Sequence, residues 1–179
     1  DGSGEILTVN ADGTDAKQLI ACPGAPCHYL AGPAWSPDGK YLATGDQDST
    51  VHFWIGATGQ DLQMFGYPMK VRELAWDRDS RFLATGGGSQ VTVWDCSGKG
   101  PEGTTPLQLT GHDESANVNV LAYQRNGNIL VSGAGDGKIL LWRPVEGVRI
   151  QGKANLSGGV TQIVWSQDDS LIAVGTDVG

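Results

Sequence analysis

The sequence predicts an all-β fold built from a repeated four-stranded unit, and three observations lead to this prediction. Glycine is abundant, with 27 residues in a chain of 179, and lacks a Gly-X-Y period, which is typical of many tight turns. All 6 tryptophans fall on two positions of a repeat of about 40–45 residues. No run shows helical periodicity. Four-stranded antiparallel units repeated around an axis form a β-propeller.

The first strand of each unit ends in an aromatic residue that follows two mostly apolar residues. These aromatic residues are Trp35, Trp76, Tyr123 and Trp165. A second tryptophan series, Trp54, Trp94 and Trp142, ends the third strand of each complete unit. Both series step by about one repeat length, with an insertion before Tyr123. The two series therefore fix the register of the units along the chain.

The other strands of each unit lie at fixed places around these aromatic residues. Apolar second strands are predicted at 41–45, 82–86, 129–133 and 171–175, each after a turn at 36–39, 77–80, 124–127 or 166–169. Outer strands are predicted at 61–65, 106–110 and 148–150, and 5–9 and 17–20 are read as the last two strands of an earlier unit. The units span 1–28, 29–66, 67–110, 111–156 and 157–179, which gives sixteen strands or about four blade equivalents.

Three arrangements could cover the exposed sheet edges that such an arc would have. The segment could belong to a longer protein, in which a propeller of about seven blades closes. Two copies could pair into an eight-bladed ring. The two half-blades could also meet within one chain and close a four-bladed ring.

Charge and cysteine usage exclude several classes of function. The formal net charge of −8 argues against a nucleic-acid surface and against binding to an anionic membrane, and it favours solubility or a basic protein partner. Cys22, Cys27 and Cys96 do not make a disulfide framework, and Cys22, Cys27 and His28 lack a fourth ligand for a metal. We expect no metal, no cofactor and a cytoplasmic setting. No apolar run is long enough to span a membrane.

The repeat resembles the WD-repeat (WD40) family over essentially the whole chain. Gly111-His112 matches the opening of the family unit, and Trp94-Asp95 matches its close. The resemblance implies a structural tetrad of His112, Ser132, Asp136 and Trp142 in the third complete unit. A buried His needs an acceptor, which Asp136 can supply, so these residues predict a structural network and not a hydrolase triad.

The other units depart from the family pattern. Tyr67 and Leu156 stand where His is expected, and Gly88 stands where Asp is expected. Partial tetrads remain at Thr44, Asp48, Trp54, Thr85 and Trp94, with His28 as a possible partner in the first unit. We therefore expect apolar packing to hold those units together. We also expect His52, on a third strand, to be solvated or at an edge.

A second resemblance covers the beginning of the chain. Residues 9–14 and 33–39 are similar to the repeats of TolB-type propellers, which would imply a periplasmic setting. The later units resemble WD repeats more closely, so TolB-type propellers remain the alternative. We expect a bacterial member of the WD-repeat family.

The WD-repeat resemblance implies a non-catalytic platform for protein–protein interaction. Partners are expected on the face that holds the turn between the second and third strands. On this chain that face carries Gln47, Lys70, Arg72, Asn117, Asn119 and Gly135. The rival function is an enzyme or ligand binder that uses the central channel, but the first strands carry Glu73, Asn119 and Gln162 and no ring of acids. A third possibility is a segment that only assembles a larger protein.

Overall fold

A computed structural model describes residues 5–21 and 31–178 of the chain. Its strands form a meander, in which each strand pairs antiparallel with the next strand of its sheet. The strands are β1 (Glu5–Thr8), β2 (Lys17–Ala21), β3 (Ala31–Trp35), β4 (Tyr41–Gly45), β5 (Val51–Ile55), β6 (Asp61–Met64), β7 (Glu73–Trp76), β8 (Phe82–Gly86), β9 (Val91–Asp95), β10 (Leu107–Leu109), β11 (Val118–Tyr123), β12 (Leu130–Ala134), β13 (Lys138–Trp142), β14 (Ile150–Asn155), β15 (Val160–Trp165) and β16 (Ile172–Thr176).

Three complete four-stranded sheets alternate with connecting segments, and a two-stranded sheet lies at each end of the described chain. We call β3–β6 blade 1, β7–β10 blade 2 and β11–β14 blade 3, and we call the pairs β1–β2 and β15–β16 half-blades. The first strands of blades 1, 2 and 3 and of the β15–β16 half-blade lie side by side in chain order. This arrangement confirms the predicted all-β propeller fold with about four blade equivalents.

The outer strand of blade 3 lies later in the chain than the sequence indicated. The prediction was 148–150, whereas β14 covers Ile150–Asn155 and pairs with the whole length of β13. Pro144–Glu146 form a single 3-10 turn that ends at Gly147, whose φ of 103° suits glycine. This turn extends the connection, so the prediction for 148–150 was wrong except at Ile150.

The hydrophobic core lies between adjacent blades, where buried side chains of one sheet pack against the next sheet. Phe53 of blade 1 and Leu83 of blade 2 share one cluster, and both are fully buried. Leu109 of blade 2 packs in a second cluster with Trp142 of blade 3. A third cluster joins blade 3 to the last half-blade. The middle strands β4, β8 and β12 are buried along their whole length, and for this reason they read as continuous apolar runs.

First-strand tryptophans also tie neighbouring units together by hydrogen bonds. The indole of Trp76 donates to the carbonyl of Ala34 in the preceding blade at 3.0 Å. Trp165 donates in the same way to the carbonyl of Ala122 at 3.1 Å. Tyr123 occupies the equivalent place in blade 3, and its buried hydroxyl has no hydrogen-bond partner among the described residues. The junction between blades 2 and 3 therefore lacks this hydrogen bond.

The two half-blades each leave one sheet edge unpaired in the described part of the chain. β16 pairs only with β15, and β1 pairs only with β2. Leu171 and Val164, beside the β16 edge, are 70% and 54% exposed. Within residues 5–21 and 31–178 there is no helix with the length and apolar character that crossing a membrane requires.

Candidate functional site

The face of the propeller that carries the turns β4–β5, β8–β9 and β12–β13 holds a broad depression. We call this face the upper face. The depression has a volume of about 580 Å³ and extends from blade 1 to blade 3. Five of the six residues predicted to bind partners line it: Gln47, Lys70, Arg72, Asn117 and Asn119. The structure thus brings these five residues, from three blades, onto one surface.

The buried side chain of Val71 positions the two cationic residues of this depression, Lys70 and Arg72. Val71 is 1% exposed and packs between blades 1 and 2, while Lys70 and Arg72 on either side of it are exposed. Gly45 is essential to this packing because an added Cβ would overlap the carbonyl oxygen of Val71. The Lys70 ammonium donates to the Gln47 side-chain carbonyl at 3.3 Å, which links blades 1 and 2 across the upper face.

Glu73 is the acidic residue of the same depression. Burial raises the pKa of its carboxyl above the ordinary value. Lys70 and Arg72 outnumber this acid, so the lining carries a net positive charge in a chain whose formal net charge is −8. The net charge of the depression is therefore opposite in sign to the net charge of the whole chain.

A second depression of about 400 Å³ lies beside the first one, towards the last half-blade. It shares Asn117 and Asn119 with the first depression and also contains Gly135, the sixth predicted residue. The Asn119 amide donates to the Val160 carbonyl at 2.9 Å, which holds its side chain across the junction to the half-blade. The predicted residues thus form a continuous surface over several units.

The four tetrad residues of blade 3 form one hydrogen-bonded chain. The Trp142 indole donates to Ser132 Oγ at 2.9 Å, and Ser132 Oγ lies 2.9 Å from His112 Nε2. His112 Nδ1 lies 3.3 Å from the Asp136 carboxylate, which also accepts the backbone N–H of Asp113 at 2.9 Å. Burial lowers the pKa of His112, so the ring is neutral, with Nδ1–H as donor and Nε2 as acceptor.

This network stabilises the fold of blade 3 and is not arranged for catalysis. Ser132 is 0% exposed and Trp142 is 0% exposed, so a substrate cannot reach the serine hydroxyl without opening the blade. A nucleophile needs a free path to the reacting carbon as well as a base. The carboxylate of Asp136 instead fixes the β12–β13 turn, because it accepts the backbone N–H of Lys138 at 3.0 Å.

Blade 2 closes its network with a tyrosine. The Trp94 indole donates to the Tyr67 hydroxyl at 2.5 Å, and this hydroxyl lies 3.1 Å from Thr85 Oγ1. Thr85 Oγ1 also donates to the Thr92 carbonyl at 3.2 Å, so every hydroxyl proton has an acceptor when Tyr67 donates to Thr85. Tyr67 thus takes the place of His in a polar network that adds to the apolar packing expected to hold this blade.

Blade 1 has a shorter network. The Trp54 indole donates to Thr44 Oγ1 at 3.1 Å. Asp48 accepts from the Thr50 hydroxyl at 2.6 Å within its own turn and does not reach Trp54 or Thr44 by a hydrogen bond. His28, the possible fourth member, lies outside the described residues, as do Cys22 and Cys27.

His52 was expected at a solvated edge, and this expectation was wrong. The side chain is 1% exposed, its ring stacks on Trp54 with 5.2 Å between centroids, and Nδ1 lies 2.9 Å from the Asp61 carboxylate. His52 Nε2 and Asp46 Oδ2 lie 3.9 Å apart, and neither atom has a hydrogen-bond partner within residues 5–21 and 31–178. An acid in the facing outer strand was the signal that could have indicated this pairing.

Residues that could hold a metal do not come together in the described ranges, where no group of three His, Cys, Asp or Glu residues has suitable spacing. Cys96 is buried, and burial raises the pKa of its thiol to about 12, which keeps it protonated and unreactive. Of the candidate channel residues, Glu73 and Asn119 line the upper depression, whereas Gln162 lies exposed on β15.

Comparison with protein families gives a match over three segments of the chain. The family model described as WD domain, G-beta repeat, matches residues 24–54, 59–95 and 103–143. Together these segments cover more than half of the chain, and each contains one of the three third-strand tryptophans.

Curated relatives share this repeat. The chain is 33% identical over 123 residues to anaphase-promoting complex subunit cdh1 of Dictyostelium discoideum, which covers 64% of this chain and 16% of that protein. It is 31% identical over 139 residues to Protein FIZZY-RELATED 3 of Arabidopsis thaliana, covering 72% of this chain and 28% of that protein. It is 24% identical to WD repeat-containing protein 1 of Gallus gallus, covering 81% and 31%.

These relatives are longer than this chain, which spans 16% to 31% of their lengths. All three are eukaryotic, so they give no support to the expected bacterial origin. Among solved structures, a chain in the crystal structure of the mitotic checkpoint complex matches with a TM-score of 0.78 and 23% identity, over 97% of this chain and 52% of that one. This likeness shows the fold.

Proposed function

The chain belongs to the WD40-repeat family, and from this premise we propose that it acts as a non-catalytic scaffold that binds protein partners on its upper face. The observation that carries the proposal is the depression in which Gln47, Lys70, Arg72, Asn117 and Asn119 meet. A site of this size, built from loop residues and strand ends of three blades, offers a specific contact surface on a rigid support.

The contrast between strands and turns supports this proposal. Middle strands such as β4 and β8 are buried along their whole length, so their residues are determined by packing. Lys70 and Arg72 project from the same framework and make no ion pair among the described residues. Their charges are therefore available to a partner.

The names of two matching proteins support the proposal that this chain is a scaffold. One relative is by name a subunit of the anaphase-promoting complex, and the matching structure is of the mitotic checkpoint complex; both names refer to multiprotein assemblies. From these names we infer for this chain only that it binds protein partners. The buried serine of the Ser132–His112–Asp136 chain supports a role without catalysis.

The test is a double charge reversal on the upper face. Lys70→Glu with Arg72→Glu should abolish or strongly weaken the retention of partners that co-purify with the wild-type protein. The matched control is Arg149→Glu with Lys153→Glu, which changes the charge equally at exposed positions on or beside β14. Retention of every partner by the Lys70/Arg72 variant would contradict the proposed site, and equal loss in both variants would point to net charge instead.

The exposed indole of Trp35 favours a second role for this chain, in which blade 1 packs against a further propeller unit. Trp35 is 46% exposed and makes no hydrogen bond in the described part of the chain, whereas Trp76 and Trp165 each donate to the preceding unit. The equivalent acceptor for Trp35 is the Val164 carbonyl of a half-blade like β15–β16. We propose that such a half-blade packs against blade 1, supplied by the same protein or by a second copy.

Light scattering on a sizing column tests this second role. A mass near twice the 18.8 kDa of the chain would support closure by a second copy. A concentration-independent monomer would favour closure within one chain, and broad association would indicate that further blades normally cover the edges. Trp35→Phe should weaken a dimer that uses the Val164 carbonyl, and an unchanged dimer would contradict that contact.

A further inference from the structure

The β8–β9 turn of blade 2 lacks the carboxylate that the corresponding turns of blades 1 and 3 contain. The turn of blade 1 carries Asp46, which accepts the backbone N–H of Gln47, and Asp48, which stands at the place of Asp136 and accepts from the Thr50 hydroxyl. In blade 3, Asp136 accepts the backbone N–H groups of Asp113 and Lys138. The turn of blade 2 is Gly87-Gly88-Ser89-Gln90 and carries no acid. Six residues separate Thr85 from its cross-strand partner Thr92, whereas seven separate Ser132 from its partner Leu140 in blade 3.

The missing side chain leaves space on the upper face. A pocket of about 330 Å³ lies between this turn and the segment that enters β7, and we call it the blade 2 pocket. A Cβ built on Gly88 meets only the side chain of Pro68, at 3.8 Å, so the pocket is open at the place where blade 3 has its aspartate. None of the residues that line the pocket is charged, and its polar side chains include Tyr67, Ser89, Gln90 and Gln108.

Several polar side chains of the blade 2 pocket have donors that remain available. The side chains of Ser89 and Gln90 make no hydrogen bond among the described residues. The Gln108 side-chain carbonyl accepts from Thr92 at 3.1 Å, which leaves its amide protons free. The Tyr67 hydroxyl is already satisfied by Trp94 and Thr85, so the pocket does not need an acid for its own stability.

The neighbouring depression supplies positive charge. Pro68 and Met69 line both hollows, and the chain continues from them to Lys70 and Arg72. A negatively charged group in the blade 2 pocket would thus have neutral donors around it and two exposed cations beside it. Charge complementarity of this kind favours an anion over a neutral or basic group.

We propose that the blade 2 pocket binds a carboxylate side chain from an acidic peptide segment of the protein partner. The carboxylate would take the place that Asp136 takes within blade 3, with donors from Ser89, Gln90 and Gln108. Lys70 and Arg72 would contact further acids of the same segment. This inference rests on the proposed function and specifies the chemistry of the partner.

The first measurement uses the full chain and a fluorescent peptide in which Asp and Glu alternate with Ser. Fluorescence anisotropy should show binding that weakens with added salt, as expected for contacts between opposite charges. The matched probe has Asn and Gln in place of the acids and should bind at least about tenfold more weakly. Equal binding of the two peptides would overturn the proposal.

Gly88→Asp places a carboxylate of the protein itself in the blade 2 pocket. It should weaken binding of the acidic peptide at least about tenfold, because the space is filled and like charges repel. Thr105→Asp is the matched control, since it adds the same charge at an exposed position on the β9–β10 connection, at the opposite face. Unchanged affinity of the Gly88→Asp variant would overturn the site.

Ser89→Ala with Gln90→Ala tests the donors without adding charge or filling the pocket. This variant should lower affinity for the acidic peptide and leave the thermal midpoint unchanged. If Gly88→Asp retains the natural partner while the Lys70→Glu/Arg72→Glu variant loses it, the blade 2 pocket is wrong and the proposed upper-face function stands. If neither variant loses the partner, the proposed function itself fails.

Discussion

Blades 2 and 3 have the same four-stranded layout and close their internal polar networks in two different ways. Blade 3 uses a chain that runs from Trp142 through Ser132 and the neutral ring of His112 to the Asp136 carboxylate. Blade 2 uses neutral hydroxyl groups, and its network ends at a backbone carbonyl. The comparison teaches that tyrosine at the histidine position removes the need for the acid, because a hydroxyl can both accept and donate.

The difference also changes the upper face. In blade 3 the Asp136 carboxylate bonds within the protein, where it holds the β12–β13 turn. In blade 2 the turn is short and rich in glycine, and the unused space becomes the blade 2 pocket. Tyr67 and Gly88, the two residues of blade 2 that depart from the family pattern, both line this pocket.

Trp142→Ala should have the largest effect on stability. The side chain is 0% exposed and its indole donates to Ser132, so truncation leaves a cavity and removes a donor from Ser132 Oγ. The free energy of unfolding should fall by about 3–5 kcal/mol in urea denaturation. Trp35→Ala is the control, since that side chain is 46% exposed, and an equal loss there would contradict the ranking.

Asp136→Asn should come next and should affect blade 3 alone. The change keeps the shape but weakens the bonds to His112 and to the backbone N–H groups of Asp113 and Lys138. Loss of such charge-assisted bonds should cost about 1.5–3 kcal/mol, measured by chemical denaturation. Asp113→Asn removes an exposed carboxylate and should cost less; the reverse order would show that the network is not what holds the turn.

Tyr67→Phe should destabilise blade 2 by about 1–2 kcal/mol, because the Trp94 indole N–H then loses its acceptor. Tyr123→Phe offers a close control. The Tyr123 hydroxyl is buried without a partner among the described residues, so its removal should be neutral or slightly stabilising. Thermal unfolding of both variants measures the contrast, and equal midpoints would mean that the tyrosine does not replace histidine energetically.

The smallest expected effect is a dependence of stability on pH that arises in blade 3. Burial lowers the pKa of His112, so the unfolded chain takes up a proton at higher pH than the folded chain. The free energy of unfolding should thus decline as the pH falls below about 6.5, the ordinary histidine value. His112→Tyr should show a flatter profile over this range, and an unchanged slope would assign the effect to other groups.

The sequence predicted the strands well wherever aromatic residues mark the register. β4 and β8 begin and end at the predicted residues because apolar runs lie between clear turns. β14 was misplaced because its residues are mostly polar and a 3-10 turn follows Trp142, neither of which has a periodic signal. The fold thus follows from local patterns except at the outer strand of blade 3.

The position of the candidate site on the upper face could be predicted from the sequence, whereas the contacts and open space around its side chains could be predicted less well. The repeat placed Lys70 and Arg72 on the upper face because the turns of successive units lie at the same end of their sheets. The buried His52 ring lies against Asp61 of the facing outer strand and stacks on Trp54. The pairing with Asp61 follows only when the register of β5 and β6 is known. The blade 2 pocket arises from an absent side chain, and only its three-dimensional neighbours show that the space stays open.

Hydrogen exchange of the chain with and without its captured partner tests the central claim most directly. Binding should slow exchange at the upper-face turns 46–50, 87–90 and 134–137 and in the segment 68–72, because these backbones lie in or beside the proposed interface. Protection confined to the opposite turns at 36–39, 77–80, 124–127 and 166–169 would contradict an upper-face binding site and place the partner on the other side of the propeller.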